Sequence, residues 1–338
     1  MLRCPVPFAS IVGHTHVVSL MRRAAAAGRV PQSLLVAGPE GVGKRTFAIA
    51  IAQAVNCPSR RDGDGCGTCV TCQRIARGQH SDVTIVTPGD EASIKIKMLR
   101  ERVLDPIGYR PFEAERRVYI IDPADEVTAE GQDALLKTLE EPPPAAILVL
   151  VSAYADTLRP TVQSRCRRLR LGPLSERDVA RILVERCEVD RARAGALAAV
   201  SGGSVARALA MADDDGDLAE DRGAALGLLS AAARSTNVLP RLKAAVALTQ
   251  HAKSRRAREA VGTRLAIAAS LLRDLGALAA GESRGLANAD LTADLRALAP
   301  SFALPRVSAG FDTLTRAQEH LDRSASPKVV ADWVALMI

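Results

Sequence analysis

The chain has 338 residues, 48% hydrophobic and 25% charged, the proportions of a globular protein large enough for two or three domains. Aromatics are only 3%, so helices packed through Ala, Leu and Val are expected, and a net charge of +7 is compatible with a nucleic-acid partner without demanding one. No continuous apolar stretch opens the chain and no apolar run is long enough to cross a bilayer, which argues against secretion and membrane insertion and for a cytoplasmic location.

The first apolar run, Leu34–Ala37, reads as a buried strand, and Arg45–Val55 as an Ala- and Ile-rich helix. Between them lies Gly38-Pro-Glu-Gly-Val-Gly-Lys-Arg-Thr46. Gly38, Gly43 and Lys44 fit a phosphate loop, with Gly41 inside it, whose backbone N–H groups and following helix N-terminus cradle a polyphosphate. One position departs from the pattern. Where Ser or Thr would hold Mg²⁺ the chain has Arg45, and Thr46 comes one residue late.

Cys57, Cys66, Cys69 and Cys72 follow, spaced C-x₈-C-x₂-C-x₂-C among Gly63, Gly65, Gly67 and Thr68. Four thiolates at this spacing satisfy tetrahedral Zn²⁺ with no open position, so a structural zinc is expected. The other cysteines (Cys4, Cys166 and Cys187) read as small apolar residues.

Further strands are expected at Val83–Thr87, Val118–Ile121 and Ile147–Ser152, with a short fifth at Leu169–Leu171, and helices at Ile96–Leu104 and Ala129–Glu140. This alternation predicts a parallel sheet covered by helices on both faces. Arg117-Val-Tyr-Ile-Ile-Asp122 has the form of a second nucleotide motif, in which Asp122 would help to hold Mg²⁺. Pro123 stands where a catalytic Glu would follow, and Asp125 and Glu126, further along, are expected to point elsewhere. In Ala134-Leu-Leu-Lys-Thr-Leu-Glu-Glu-Pro-Pro143, Leu135 and Leu139 share one helix face and Pro142 ends the helix. Thr161–Arg170 carries four arginines and no acid.

After Pro173 only helices are expected. Ser175 with Asp178 forms an acidic capping box opening a helix to about Cys187, and Arg191–Val200 and Val205–Ala212 complete a three-helix module. The acidic run Asp213–Asp217 reads as a linker or helix start, and residues 222–338 as helices punctuated by Asn237, Gly281, Pro300 and Pro327.

The phosphate loop, the four-cysteine insert, the strand ending in Asp122, ALLKTLEEPP and Ser164-Arg165-Cys166 occur in this order in bacterial clamp-loader subunits, AAA+ proteins that this chain resembles over residues 8–210. The resemblance implies an α/β AAA+ P-loop domain over 1–172 with a zinc insert at 57–72, a helical lid over 173–212 and an all-α collar over 213–338. It implies partners too: gamma/tau and delta subunits in a heteropentamer of the DNA polymerase III holoenzyme, the sliding clamp, and primed DNA through the assembled complex. Arg207 matches the family's sensor-2 arginine, and Tyr154 aligns near sensor 1, usually Asn or Thr. With Arg45, Pro123 and Tyr154 all departing from the hydrolysing pattern, the chain is most similar to the delta-prime type. ATP and Mg²⁺ would then be weak or absent at its own loop, and Arg165 would act in trans at a neighbour's ATP. Two alternatives stand beside this: an active gamma/tau-like motor, and a zinc-bearing DNA-binding module whose basic stretches are Arg165–Arg170 and Lys253–Arg258.

Overall fold

A computed structural model describes residues 6–89, 93–213, 218–235, 237–250, 255–282, 286–288, 291–322 and 325–338. Cys4, most of the acidic run at 213–217 and the start of the 253–258 basic stretch lie outside them. The chain forms two compact units. The first runs to Asp178 and includes Ser204–Ala206; the second comprises Val179–Gly203 and Arg207–Ile338.

The first unit is built on five parallel strands, β1 (Ser33–Ala37), β2 (Val83–Val86), β3 (Arg117–Ile121), β4 (Ala146–Ser152) and β5 (Arg167–Arg170), in the order β2-β3-β4-β1-β5. Side chains alternate between two apolar cores, as a sheet covered on both faces requires. Leu34 and Val36 of β1 face one core with Val149 and Val151, under α1 (Thr15–Ala26) and α2 (Lys44–Asn56). Leu35 and Ala37 face the other with Leu148, Leu150 and Ile121.

That second core is covered by α4 (Ile96–Leu99), which continues as a π-helical turn Arg100–Leu104, and by α5 (Ala129–Glu140); α3 (Val70–Ala76) belongs to the cysteine insert. Thr128 caps α5 by accepting the Gly131 N–H, Leu135 and Leu139 are its buried face, and Pro142 follows its end. The fifth strand begins earlier than its apolar residues suggest. It lies at the sheet edge, pairing only with β1, so Arg167, Arg168 and Arg170 stay exposed and only Leu169 is buried.

A short α6 (Pro160–Gln163) precedes β5. The helix α7 (Glu176–Cys187) starts as expected: the Asp178 N–H donates to Ser175 Oγ at 3.1 Å, and Ser175 Oγ donates back to the Asp178 carboxylate at 2.8 Å.

The regular elements of the second unit, among its described residues, are helices: α7 from Val179 on, α8 (Arg191–Val200), most of α9 (Val205–Asp213), α10 (Leu218–Arg234), α11 (Val238–Thr249), α12 (Arg255–Ala279), α13 (Thr292–Leu298), α14 (Leu304–Asp322) and α15 (Pro327–Met337). Its core is made of small and aliphatic side chains, including Leu229, Leu265, Leu271, Leu275 and Val334. Two buried polar groups tie it together. Arg264, only 4% exposed, pairs with Asp221 and donates to the Ala247, Leu248 and Gln250 carbonyls at the end of α11. Asp274 accepts the Ala287 and Asn288 backbone N–H groups.

Candidate functional site

The loop from Gly38 to Gly43 joins the carboxyl end of β1 to the N-terminus of α2, where ligands of open α/β sheets bind. Its turns need glycine: Gly41 (φ 73°) and Gly43 (φ 98°) are left-handed, and a Cβ on Gly41 would lie 2.0 Å from Ser204 Oγ. Ser204–Ala206, which belong to the first unit, lie against the loop here, with the Val205 N–H donating to the Gly41 carbonyl at 2.9 Å. Lys44 is buried and folded onto the loop, donating from Nζ to the Gly38 and Pro39 carbonyls at 2.8 and 2.7 Å. Burial lowers its pKa, against the pull of the Glu40, Asp122 and Asp125 carboxylates.

Asp122 stands at the end of β3 beside this loop, and its neighbour is Arg45, whose Nη1 lies 3.7 Å from Asp122 Oδ2. Burial raises the Asp122 pKa, while Arg45 and Lys44 oppose that rise. This donor set does not fit a loop-bound Mg²⁺. The residue after Lys44 brings a guanidinium instead of a hydroxyl, and that cation already sits against the carboxylate a metal would need. Pro123 follows Asp122 and offers no side-chain base.

Sequence reasoning expected Asp125 and Glu126 to point elsewhere. Asp125 Oδ1 accepts the Ala153 N–H at 3.0 Å, clamping the end of β4, and its charge acts on both Lys44 and Asp122. Burial, followed by the charges of Asp125, Asp122 and Glu40, raises the Glu126 pKa. Ser152 is a polar group the sequence did not single out. It ends β4 in register with Ala37, accepts the Gly38 N–H on its carbonyl, and its hydroxyl is buried with no partner among the described residues. Tyr154, two residues on, is half-exposed. Thr46 lies in the first turn of α2, and Arg207 in α9 belongs to the second unit.

The four cysteines come together. Their sulfurs all lie within 4.8 Å of one another, and Cys57 Sγ is 3.8 Å from Cys69 Sγ. Tetrahedral zinc with Zn–S bonds of about 2.3 Å requires sulfur–sulfur edges of about 3.8 Å. The backbone is arranged around the sulfurs: the Cys66, Cys69 and Cys72 N–H groups donate to Cys57, Cys66 and Cys69 Sγ. The Cys69 N–H, with hydrogen bonds from Thr68, brings the Cys66 thiol down to about 6, whereas burial pushes Cys57 and Cys72 up. Gly63 is required by packing, since its Cβ would lie 1.9 Å from the Arg22 carbonyl, and neighbouring Asp64 accepts the Phe8 and Ala9 N–H groups. These residues could hold one metal ion with all four positions filled by protein. Cys166 stands apart, packed against the second core and pushed up to about 12 by burial.

Arg165 is not at the loop. It lies two residues before β5, whose Arg167 is level with Leu34 near the start of β1, and the loop begins four residues beyond Leu34. At about 3.3 Å per residue that is at least about 13 Å along the sheet. Arg165 instead meets the far end of α5: Nε and Nη2 each lie 3.2 Å from Glu140 Oε2, and Nη1 donates to the Thr161 carbonyl at 3.1 Å.

Residues 13–175 match the protein family described as DNA polymerase III, delta subunit. Over 180 residues the chain is 34% identical to DNA polymerase III subunit gamma of Buchnera aphidicola, covering 53% of this chain and 49% of that protein. It is 33% identical over 171 residues to subunit tau of Escherichia coli, covering 50% of this chain and 26% of that protein. The chain thus spans about half or less of the length of these curated relatives. Among solved structures, a DNA polymerase III gamma subunit-related protein of Thermotoga maritima aligns over 89% of this chain and 98% of its own at 17% identity, with a TM-score of 0.40, too low to carry an argument. The N-terminal half is therefore similar to segments of DNA polymerase III subunits, to delta by its family match and to gamma and tau by its relatives. No helix among the described residues is long and apolar enough to cross a membrane.

Proposed function

We propose that the chain is a delta-prime-type subunit of the DNA polymerase III clamp loader. It does not hydrolyse ATP itself and gives Arg165 in trans to the ATP of a neighbouring subunit. The observation that carries this reading is the Arg45–Asp122 ion pair, which puts a side-chain cation against the carboxylate a hydrolysing site reserves for Mg²⁺. The position of Arg165 supports the second half. It is too far along the sheet to serve its own loop and partly exposed, as a group acting on a neighbour must be. In a neighbour's site its guanidinium would offset charge developing on the γ-phosphoryl oxygens, an effect worth a factor of about 10³–10⁵ in other phosphoryl transfers.

In this reading residues 173–212 act as a lid, 213–338 as a collar joining the chain to gamma/tau and delta subunits, and Cys57, Cys66, Cys69 and Cys72 hold a structural Zn²⁺. The sliding clamp and primed DNA are met through the assembled complex, in the cytoplasm. Mixing the purified chain with gamma/tau and delta subunits should give one complex of defined mass, while the chain alone should show no steady-state ATPase.

The gamma and tau names of its relatives favour a second reading, an active motor that uses Lys44 and Thr46 at its own loop. Hydrolysis by the chain alone, abolished by Lys44→Ala, would establish that reading and remove the first.

A further inference from the structure

The segment that carries Arg165 is gripped by one helix. Gln132 Oε1 of α5 accepts the Arg159 N–H at 2.9 Å, and Asp133 Oδ1 takes the Arg159 guanidinium at 2.6 Å. At the other end of the same helix, Glu140 takes Nε and Nη2 of Arg165. Three α5 side chains thus hold both ends of the stretch 159–165, which includes α6. The helix itself is anchored to the sheet, because Leu135 and Leu139 on its apolar face are buried in the core under β3 and β4.

The Arg165 guanidinium has five N–H groups. Glu140 occupies the Nε and Nη2 side, the Thr161 carbonyl takes one N–H of Nη1, and one N–H remains on each terminal nitrogen. A flexible arginine loses much of its freedom when it meets a phosphate, and a side chain already held by two partners has less left to lose.

We propose that Glu140 is a positioning residue for Arg165, fixing the guanidinium from behind so that its two remaining N–H groups face a phosphoryl group of the adjoining subunit. The proposal rests on the in-trans role of Arg165 and goes beyond it by naming the residue that orients that group. Glu140 touches neither substrate nor metal and acts only through the arginine. Because both side chains are partly exposed, the effect is modest, and about two- to fivefold is the expected scale.

The test uses the chain assembled with gamma/tau and delta subunits, with the mass of every complex checked first. Steady-state ATPase in the presence of clamp and primed DNA is measured for the unaltered chain, Glu140→Ala, Glu140→Gln, Arg165→Ala and the double variant Glu140→Ala with Arg165→Ala. Glu140→Ala should lower the Arg165-dependent part of kcat about two- to fivefold with KM unchanged. Glu140→Gln, which keeps an acceptor oxygen, should lose less. In the Arg165→Ala background, Glu140→Ala should add nothing.

An unchanged or raised kcat in Glu140→Ala overturns the proposal, as does a further loss in the double variant. If Glu140→Ala does not assemble, Glu140→Gln decides: a kcat equal to that of the unaltered complex overturns it. If Arg165→Ala itself leaves kcat unchanged, the in-trans reading fails and this one falls with it, an outcome distinct from a silent Glu140 beside an active Arg165.

Discussion

Asp82 offers the sharpest test of what shapes the first unit ahead of its second nucleotide motif. It stands just before β2 with its side chain fully buried, accepting the Phe112 N–H on Oδ1 at 2.8 Å and the Glu113 and Ala114 N–H groups on Oδ2 at 2.9 and 3.0 Å. Oδ1 also takes Arg117 Nε at 3.3 Å. Arg117 opens the strand that ends at Asp122, so one carboxylate fixes both the 112–114 loop and the start of β3. In Asp82→Asn, whichever oxygen becomes an NH₂ leaves two donors facing a donor. At about 1–3 kcal/mol for each orphaned donor, the first unit should lose about 2–6 kcal/mol.

Burial pushes the Asp82 pKa up, but the three amides and Arg117 outweigh it, and the folded value lies below the ordinary carboxylate range. The stabilisation is therefore fully present above the unfolded carboxylate value of about 3.9 and is lost as pH falls through the lower folded value. Trp333, the single tryptophan, lies in the second unit, so its fluorescence does not follow this change. Hydrogen exchange at the Phe112–Ala114 amides, with urea unfolding followed by far-UV circular dichroism, reads it directly. The reasoning is refuted if Asp82→Asn matches the unaltered chain at pH 7, or if their difference persists undiminished below the folded pKa.

Three further outcomes are expected. The purified chain should carry about one zinc per molecule, as four thiolates closing one tetrahedron imply; Cys57→Ser or a strong chelator should lower that content and the melting temperature of the first unit, measured by elemental analysis and calorimetry. Arg264→Met should destabilise the second unit by about 3–5 kcal/mol, because Asp221 and three carbonyls at the end of α11 lose a buried donor; Trp333 fluorescence in urea reports it. Arg45→Ser frees Asp122 and supplies a hydroxyl after Lys44, so equilibrium dialysis with labelled ATP should show binding that requires Mg²⁺, where the unaltered chain shows little.

Much of the scaffold was legible because its signals are local. Continuous apolar runs marked the central strands, Pro142 marked the end of α5, and the Ser175–Asp178 box marked the start of α7. The cysteine spacing brought four sulfurs together because short turns through small residues leave few other arrangements. The edge strand was misplaced by two residues because two of its first residues, Arg167 and Arg168, carry no apolar signal, and an edge strand needs little. What stayed hidden is the pairing of residues distant in sequence. Nothing near Asp125 announces the Ala153 amide, and Asp82 sits about thirty positions from the amides it holds. Glu140 was read only as part of a helix end, although 25 residues on it meets the arginine the motif had singled out. Such partners are fixed by sheet order and register, which no local window contains.

In the proposed function Arg165 does the chemistry of this chain, in another subunit's site. The direct measurement is the clamp-stimulated ATPase of the complex assembled with Arg165→Ala, after its folding and mass are verified. Hydrolysis and clamp loading should fall sharply while assembly is unchanged. Normal rates from a correctly assembled Arg165→Ala complex would contradict the account.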